Sequence, residues 1–151
     1  MAVRLAEARD LTLVERLTHD AYARYQTEIG IVPGPVLEDY APRIARGDVW
    51  LLSAGGEVVG LIVLEARPGH LFVFSVAVAP DHQREGHGLA LLRFADARAT
   101  ALGLNEVRLY TNSLMARNIA LYERFGYGRT GLRPHPTRAG HAIVDMAKAL
   151  G

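Results

Sequence analysis

One run of nine residues constrains the fold more than any other part of this chain. From Leu71 to Ala79 the residues read Leu-Phe-Val-Phe-Ser-Val-Ala-Val-Ala, largely apolar at odd and even positions alike. A strand that faces water on one side alternates apolar with polar, whereas a strand apolar on both faces needs cover on both. Helices supply such cover, and a helical pattern follows. Leu89, Leu92, Ala95, Ala99 and Leu102 recur on one stripe, with Arg93, Asp96 and Arg98 away from it, and Gly103 ends the pattern. Val107 to Thr111 then reads as the next strand. The unit from 71 to 111 predicts a right-handed parallel crossover within an α/β domain.

The flanking sequence fits that class. Residues 2–6 read as a short strand, and Asp10 is placed to cap a helix running to about Ile29, with Leu13, Leu17, Ala21 and Tyr25 along one face. Gly30, Pro33, Gly34 and Pro35 punctuate the chain, and an irregular helix from about Pro35 to Ala45 contains Pro42, expected to kink or end it. Val49 to Ser53 and Val58 to Ala66 read as two strands joined by a Gly55-Gly56 hairpin turn. Beyond Thr111, Asn112 or Ser113 is expected to cap a helix running to Phe125, which Gly126 stops. Short strands follow near 127–131 and 141–148, with Arg133-Pro134-His135-Pro136 as a surface loop between them. With no repeat or linker, residues 1–151 read as one domain.

Composition removes several classes of function. A net charge of +1 offers no strong field for nucleic acid or an anionic membrane. The absence of cysteine excludes disulfides, thiolate metal sites and an acyl-cysteine intermediate. The N-terminus lacks a signal-peptide core, and no apolar run approaches the ~20 residues that cross a bilayer, so a cytoplasmic protein is expected. The six histidines show no HxxxH spacing, and no metal site is expected.

Chemistry is concentrated in Val76-Ala77-Val78-Ala79-Pro80-Asp81-His82-Gln83-Arg84-Glu85-Gly86-His87-Gly88-Leu89. A buried strand ends, a polar loop carries glycines at 86 and 88, and a long helix begins. Backbone N–H groups at a helix start lack intrahelical partners, and the helix dipole favours anions there. Two glycines let the backbone approach closely, which makes a ready diphosphate site. A tight strand-to-helix turn with glycine for geometry alone explains the loop equally well. The loop is neither the dinucleotide fingerprint, since the third glycine is missing, nor the GxxxxGK[ST] loop of NTPases.

The segment Gln83-Arg84-Glu85-Gly86-His87-Gly88 resembles the acetyl-CoA pyrophosphate loop of the GNAT superfamily of N-acetyltransferases, whose pattern is Gln/Arg-x-x-Gly-x-Gly/Ala, and it starts five residues after Val78 as in that family. Independently, Asn118-Ile119-Ala120-Leu121-Tyr122-Glu123-Arg124-Phe125-Gly126-Tyr127 resembles the family's Asn-x-x-Ala-x-x-Leu-Tyr-x-x-x-Gly-Phe segment, slightly compressed between the Asn and the Leu-Tyr pair. The resemblance implies a central mixed sheet of about six to seven strands flanked by about four helices. It also implies acetyl-CoA as cosubstrate, a small-molecule, peptide or protein amine as acceptor, no metal, and a monomer or homodimer.

Position by position, the resemblance implies that backbone groups of Val76 and Val78 hold the pantetheine arm. It assigns the loop from Gln83 to Leu89 to the cofactor, with N–H groups of Arg84, Glu85, Gly86, His87, Gly88 and Leu89 on the pyrophosphate. Asn118 would contact pantetheine and Tyr122 would stand beside the sulfur. Glu85 departs from the basic or small residue common at its position, and a carboxylate there repels a diphosphate unless it turns away.

Direct transfer needs a neutral amine, an oxyanion donor and a proton for the leaving thiolate. A phenol near pKa 10 is closely matched to an alkyl thiol near 8.5, which suits Tyr122 to the acid role. Met115, Ile119, Tyr122 and Phe125 also share a helical face, so core packing is the competing account of Tyr122. Glu28, Asp39, Glu65, His70 and Tyr110 are candidate bases among which the sequence does not choose. Tyr22, Tyr25 and Tyr40 either line an acceptor slot or pack on the sheet. A non-catalytic acyl-CoA-binding module on the same fold is the alternative function.

Overall fold

The computed structural model describes residues 2–151, which gather into two compact units. The first comprises residues 2–65 with Phe74–Phe94, and the second Ala66–Val73 with Ala95–Gly151. Seven strands form one mixed sheet in the order β1-β2-β3-β4-β5-β7-β6.

In the first unit β1 (Ala2–Leu5) runs antiparallel to β2 (Val49–Ala54), which pairs antiparallel with β3 (Glu57–Arg67). Gly55 and Gly56 have φ of +60° and +81°, the positive pair that a tight hairpin turn of matching twist requires. Between β1 and β2 lie α1 (Leu11–Ile29), α2 (Gly34–Leu37) and α3 (Tyr40–Arg46). The face α1 buries is Val14, Leu17, Thr18, Ala21 and Tyr22, one position round from the expected Leu13 and Tyr25.

One expected cap and one expected helix are corrected. Asp10 stands at the head of α1 but makes no side-chain cap to it; its carboxylate takes the Glu7 N–H at 2.8 Å and the Arg4 guanidinium at 2.9 Å. The expected single helix over 35–45 is two, broken at Glu38 and Asp39 rather than at Pro42. Asp39 caps α3 by accepting the Ala41 N–H at 3.2 Å, and Pro42 falls in the first turn, where no N–H is needed.

β4 (His70–Val78) and α4 (His87–Ala101) each contribute residues to both units. In the second unit β4 pairs parallel with β5 (Glu106–Asn112) at Leu71↔Val107 and Phe72↔Arg108, the parallel relation the crossover pattern predicts. β5 pairs antiparallel with β7 (Ala142–Ala149), and β7 with β6 (Gly128–Pro134). Arg133 and Pro134 therefore belong to a strand, not to the loop, because every residue of this outermost strand is exposed and leaves no apolar alternation to read. α5 (Ala116–Arg124) starts later than expected. Asn112 spends its side chain on the Leu114 N–H at 2.9 Å, a turn rather than a helix cap.

Candidate active site

β4 delivers the loop. Its neighbour Ala79 donates its N–H to Val59 O on β3 at 2.8 Å, so alternation turns the backbone groups of Val76 and Val78 to the other side of the strand. Both carbonyls there meet side chains. The Tyr22 hydroxyl donates to Val76 O at 3.2 Å and lies 3.4 Å from the Ser75 hydroxyl, while Gln83 Nε2 donates back to Val78 O at 3.2 Å. The N–H groups of Val76 and Val78 are thus the donors this side presents. Burial raises the Tyr22 phenol above its ordinary pKa, which keeps it neutral. Sequence reading left Tyr22 between packing and the acceptor; its place on the buried face of α1 is the signal that it reaches the sheet.

After a short 3₁₀ turn over Pro80–His82 the chain reverses at Arg84, the one non-glycine among the described residues with positive φ, at +68°. Such a conformation costs about 1–2 kcal/mol for a residue with a Cβ. Gly86 follows at φ +87°, with no atom within 4 Å of where a Cβ would stand, so its conformation and not crowding calls for glycine. Gly86 O accepts Ala90 N–H at 3.0 Å, which makes Gly86 the head of α4. The N–H groups of Gly86, His87, Gly88 and Leu89 then have no intrahelical acceptor. Gly88 lies inside the first helical turn without positive φ, so the two glycines differ: only Gly86 is required by backbone conformation.

Glu85 points into a cluster of imidazoles. Its Oε1 is 3.0 Å from His82 Nδ1 and 3.1 Å from His87 Nε2, and Glu57 Oε2 lies 3.3 Å from His82 Nε2. The contact with Glu85 raises the His82 pKa, and the two imidazoles lower that of Glu85. The carboxylate that departs from the family pattern is therefore tied to two histidines. His87 is buried, with its Nδ1 enclosed and without a hydrogen-bond partner. No spacing rule applied to the sequence anticipates this His-x-x-Glu-x-His convergence.

In the second unit, Asn118 and Tyr122 stand one turn apart on α5 and so share a face. Asn118 is half-buried; Tyr122 is buried, its ring 5.9 Å from that of Tyr127. Of the candidate bases, three are committed to local bonds. Glu28 pairs with Arg24 at 3.1 Å, Asp39 caps α3, and Glu65 accepts from Arg43 at 2.6 Å. His70 and Tyr110 instead line a concavity of about 490 Å³ with Arg67, Phe72, Arg108 and Arg133. Burial lowers the His70 pKa, favouring its neutral, basic form. Tyr40 is enclosed, donating to Pro35 O at 2.6 Å. No helix among the described residues is long and apolar enough to cross a membrane.

A strand that ends in a loop and opens a helix on amides without intrahelical acceptors is an arrangement suited to an anion. Residues 12–127 match the model of the Acetyltransferase (GNAT) family, and the chain belongs to that family. It is 31% identical over 112 residues to N-acetyltransferase family 8 member 2 of Rattus norvegicus, a match covering 70% of this chain and 46% of that protein. The chain spans about half the length, or less, of the first such relatives it matches. Its fold is similar to that of the Escherichia coli ribosomal-protein-S18-alanine N-acetyltransferase, with TM-score 0.80 and 21% identity over 99% of this chain and 94% of that one. The Thermoplasma acidophilum PaiA N-acetyltransferase in complex with coenzyme A shares it at TM-score 0.78 and 17% identity, covering 98% of each chain.

Proposed function

We propose that this chain is an acetyl-CoA-dependent N-acetyltransferase that transfers the acetyl group directly to a primary amine, with Tyr122 as general acid. The observation that carries the reading is the amide row at the head of α4, set behind a loop of the family pattern. Acetyl-CoA, when bound, supplies a thioester open to attack by a neutral amine.

The residues divide the work. N–H groups from Arg84 to Leu89 hold the diphosphate, aided by the α4 dipole. Val76 and Val78 hold the pantetheine arm through their N–H groups, since their carbonyls are met by Tyr22 and Gln83. Asn118 adds a polar contact to the same arm. A free backbone N–H near Val76 serves as oxyanion donor, a role typically worth about 3–4 kcal/mol. Tyr122 gives its proton to the departing thiolate. With no cysteine in the chain, direct attack is the economical route.

Two measurements test this. Acetyl-CoA at 100 times its Kd is expected to stabilise the protein by about 2.7 kcal/mol in a thermal-shift titration. Tyr122→Phe is expected to lower kcat by about 10²-fold or more on an amine identified by screening, with acetyl-CoA affinity little changed. Unchanged turnover would remove Tyr122 from the acid role. Binding of acetyl-CoA without turnover across a broad amine panel would instead identify a non-catalytic acyl-CoA-binding module.

A further inference from the structure

The cluster beside the loop has a chemistry that acetyl transfer does not use. One ligating atom from each of His82, Glu85 and His87 lies within 4.8 Å of the other two. Glu85 Oε1 already stands 3.0 Å from His82 Nδ1 and 3.1 Å from His87 Nε2. Ligands bound at about 2.0–2.2 Å to a tetrahedral zinc ion stand about 3.3–3.6 Å apart. The two Glu85 contacts would need to lengthen by a few tenths of an ångström to admit an ion, with the two imidazole nitrogens within 4.8 Å of each other.

His82 supplies the electronic reason. Carboxylate oxygens face both of its ring nitrogens, Glu85 on Nδ1 and Glu57 on Nε2. A neutral imidazole carries one N–H, so one of these contacts would set a lone pair against a carboxylate. A second proton relieves that conflict, and so does a cation on Nδ1. With Nε2–H donating to Glu57, His82 has the carboxylate–histidine–metal arrangement that fixes a ligand's tautomer. His87 is nine-tenths buried, so its Nε2 is held in place by packing.

We propose that His82, Glu85 and His87 form a binding site for a divalent transition-metal ion, with Glu57 orienting His82. Two imidazoles and a carboxylate suit zinc better than magnesium or calcium, and three protein ligands leave a fourth position for water or an anion's oxygen. The site stands apart from the acetyltransferase reading, because it can be measured without acetyl-CoA.

The experiment is a calorimetric titration of zinc chloride into chelator-treated, full-length protein carrying no histidine tag, repeated with cobalt and read by visible absorption. One ion per chain is expected, with a Kd below about 10 µM and a cobalt spectrum of tetrahedral intensity. His82→Ala and Glu85→Ala, both at exposed or half-exposed positions, are each expected to weaken zinc at least tenfold. Glu57→Gln is expected to weaken it about tenfold through the lost support of His82. His135→Ala and His141→Ala, whose rings lie 6.2 Å apart in a different loop, are expected to change nothing. A Kd above 10 µM, or binding that survives His82→Ala and Glu85→Ala unaltered, overturns the proposal. Circular dichroism of each variant separates lost ligands from lost fold.

Discussion

Two charge clusters in the first unit are built on opposite plans. Around Arg43 a fixed cation is surrounded by carboxylates: Glu38 at 2.5 Å, Glu65 at 2.6 Å and Asp48 at 3.7 Å, with the guanidinium 3.9 Å over the Phe74 ring. Only 9% of the Arg43 side chain is exposed. Around Glu85 the plan inverts, with one carboxylate, half exposed, between two imidazoles. An arginine keeps its charge at every accessible pH and grips with a rigid fork, so the first cluster has one state. Histidines exchange protons or a cation near neutrality, so the second has several. The first ties α3 to β3 and the chain between; the second sits where the chain offers amides to an anion. The difference teaches that charge serves architecture where its groups keep one state near neutrality, and serves a site where they do not.

The largest expected effect breaks the first cluster. Arg43→Ala takes the shared guanidinium from Glu38 and Glu65, while Asp48 keeps Arg46 at 3.2 Å, a loss of about 3–5 kcal/mol. For a chain of this length the thermal midpoint is expected to fall on the order of 10 °C. Combining Arg43→Met with Glu38→Leu and Glu65→Leu is expected to recover most of that loss, because the desolvation of the charges disappears with them. Calorimetric melting of the two proteins decides whether the cluster is structural.

Asp10 makes an intermediate case, with a fixed cationic partner but at a wetter position. Its hydrogen bond to Arg4 is the main cause that holds its pKa at about 2, assisted by the Glu7 N–H and by Arg9. A carboxylate whose pKa is lowered on folding stabilises the fold above its unfolded pKa, near 4, and loses that contribution as pH falls toward 2. Arg4 is 43% exposed, so screening limits the effect to about 1 kcal/mol. Asp10→Asn is therefore expected to be less stable than the parent at pH 6, and the gap is expected to close by pH 2. Urea denaturation at the two pH values measures it; a gap independent of pH would mean that packing, not charge, holds Asp10.

How far such features can be read in advance depends on how local they are. β4 and α4 announce themselves through period, since every residue from Leu71 to Val73 and the stripe of Leu92, Ala95 and Ala99 is buried. Gly55-Gly56 specifies its turn without help from the rest of the chain. Between α2 and α3 the sequence carries two competing signals, Pro42 as a breaker and Asp39 as a cap, and the Asp39 cap decides where α3 starts. β6 is silent because an outer strand with all residues exposed needs no alternation. In the candidate site the loop was legible as a pattern, but its chemistry was not. Tyr22 meets Val76 across more than fifty residues. His82, Glu85 and His87 converge only because Arg84 takes a positive φ between them, which no spacing rule encodes.

The smallest effect on stability, and the sharpest contrast, is expected at Glu85. Glu85→Gln removes a half-exposed charge from the surface, so melting is expected to shift by no more than about 0.5 kcal/mol. Ligand binding is expected to respond in the other direction. The substitution deletes a negative charge beside the amide row. At a separation of 4–6 Å in water, one charge is worth about 0.7–1 kcal/mol, a three- to five-fold gain in acetyl-CoA affinity. Titration of metal-free protein at low and high salt measures that gain, which is expected to shrink as screening grows. An affinity that falls instead would mean that the Glu85–histidine contacts hold the loop in its binding shape, and would place Glu85 with Arg43 on the architectural side of the comparison.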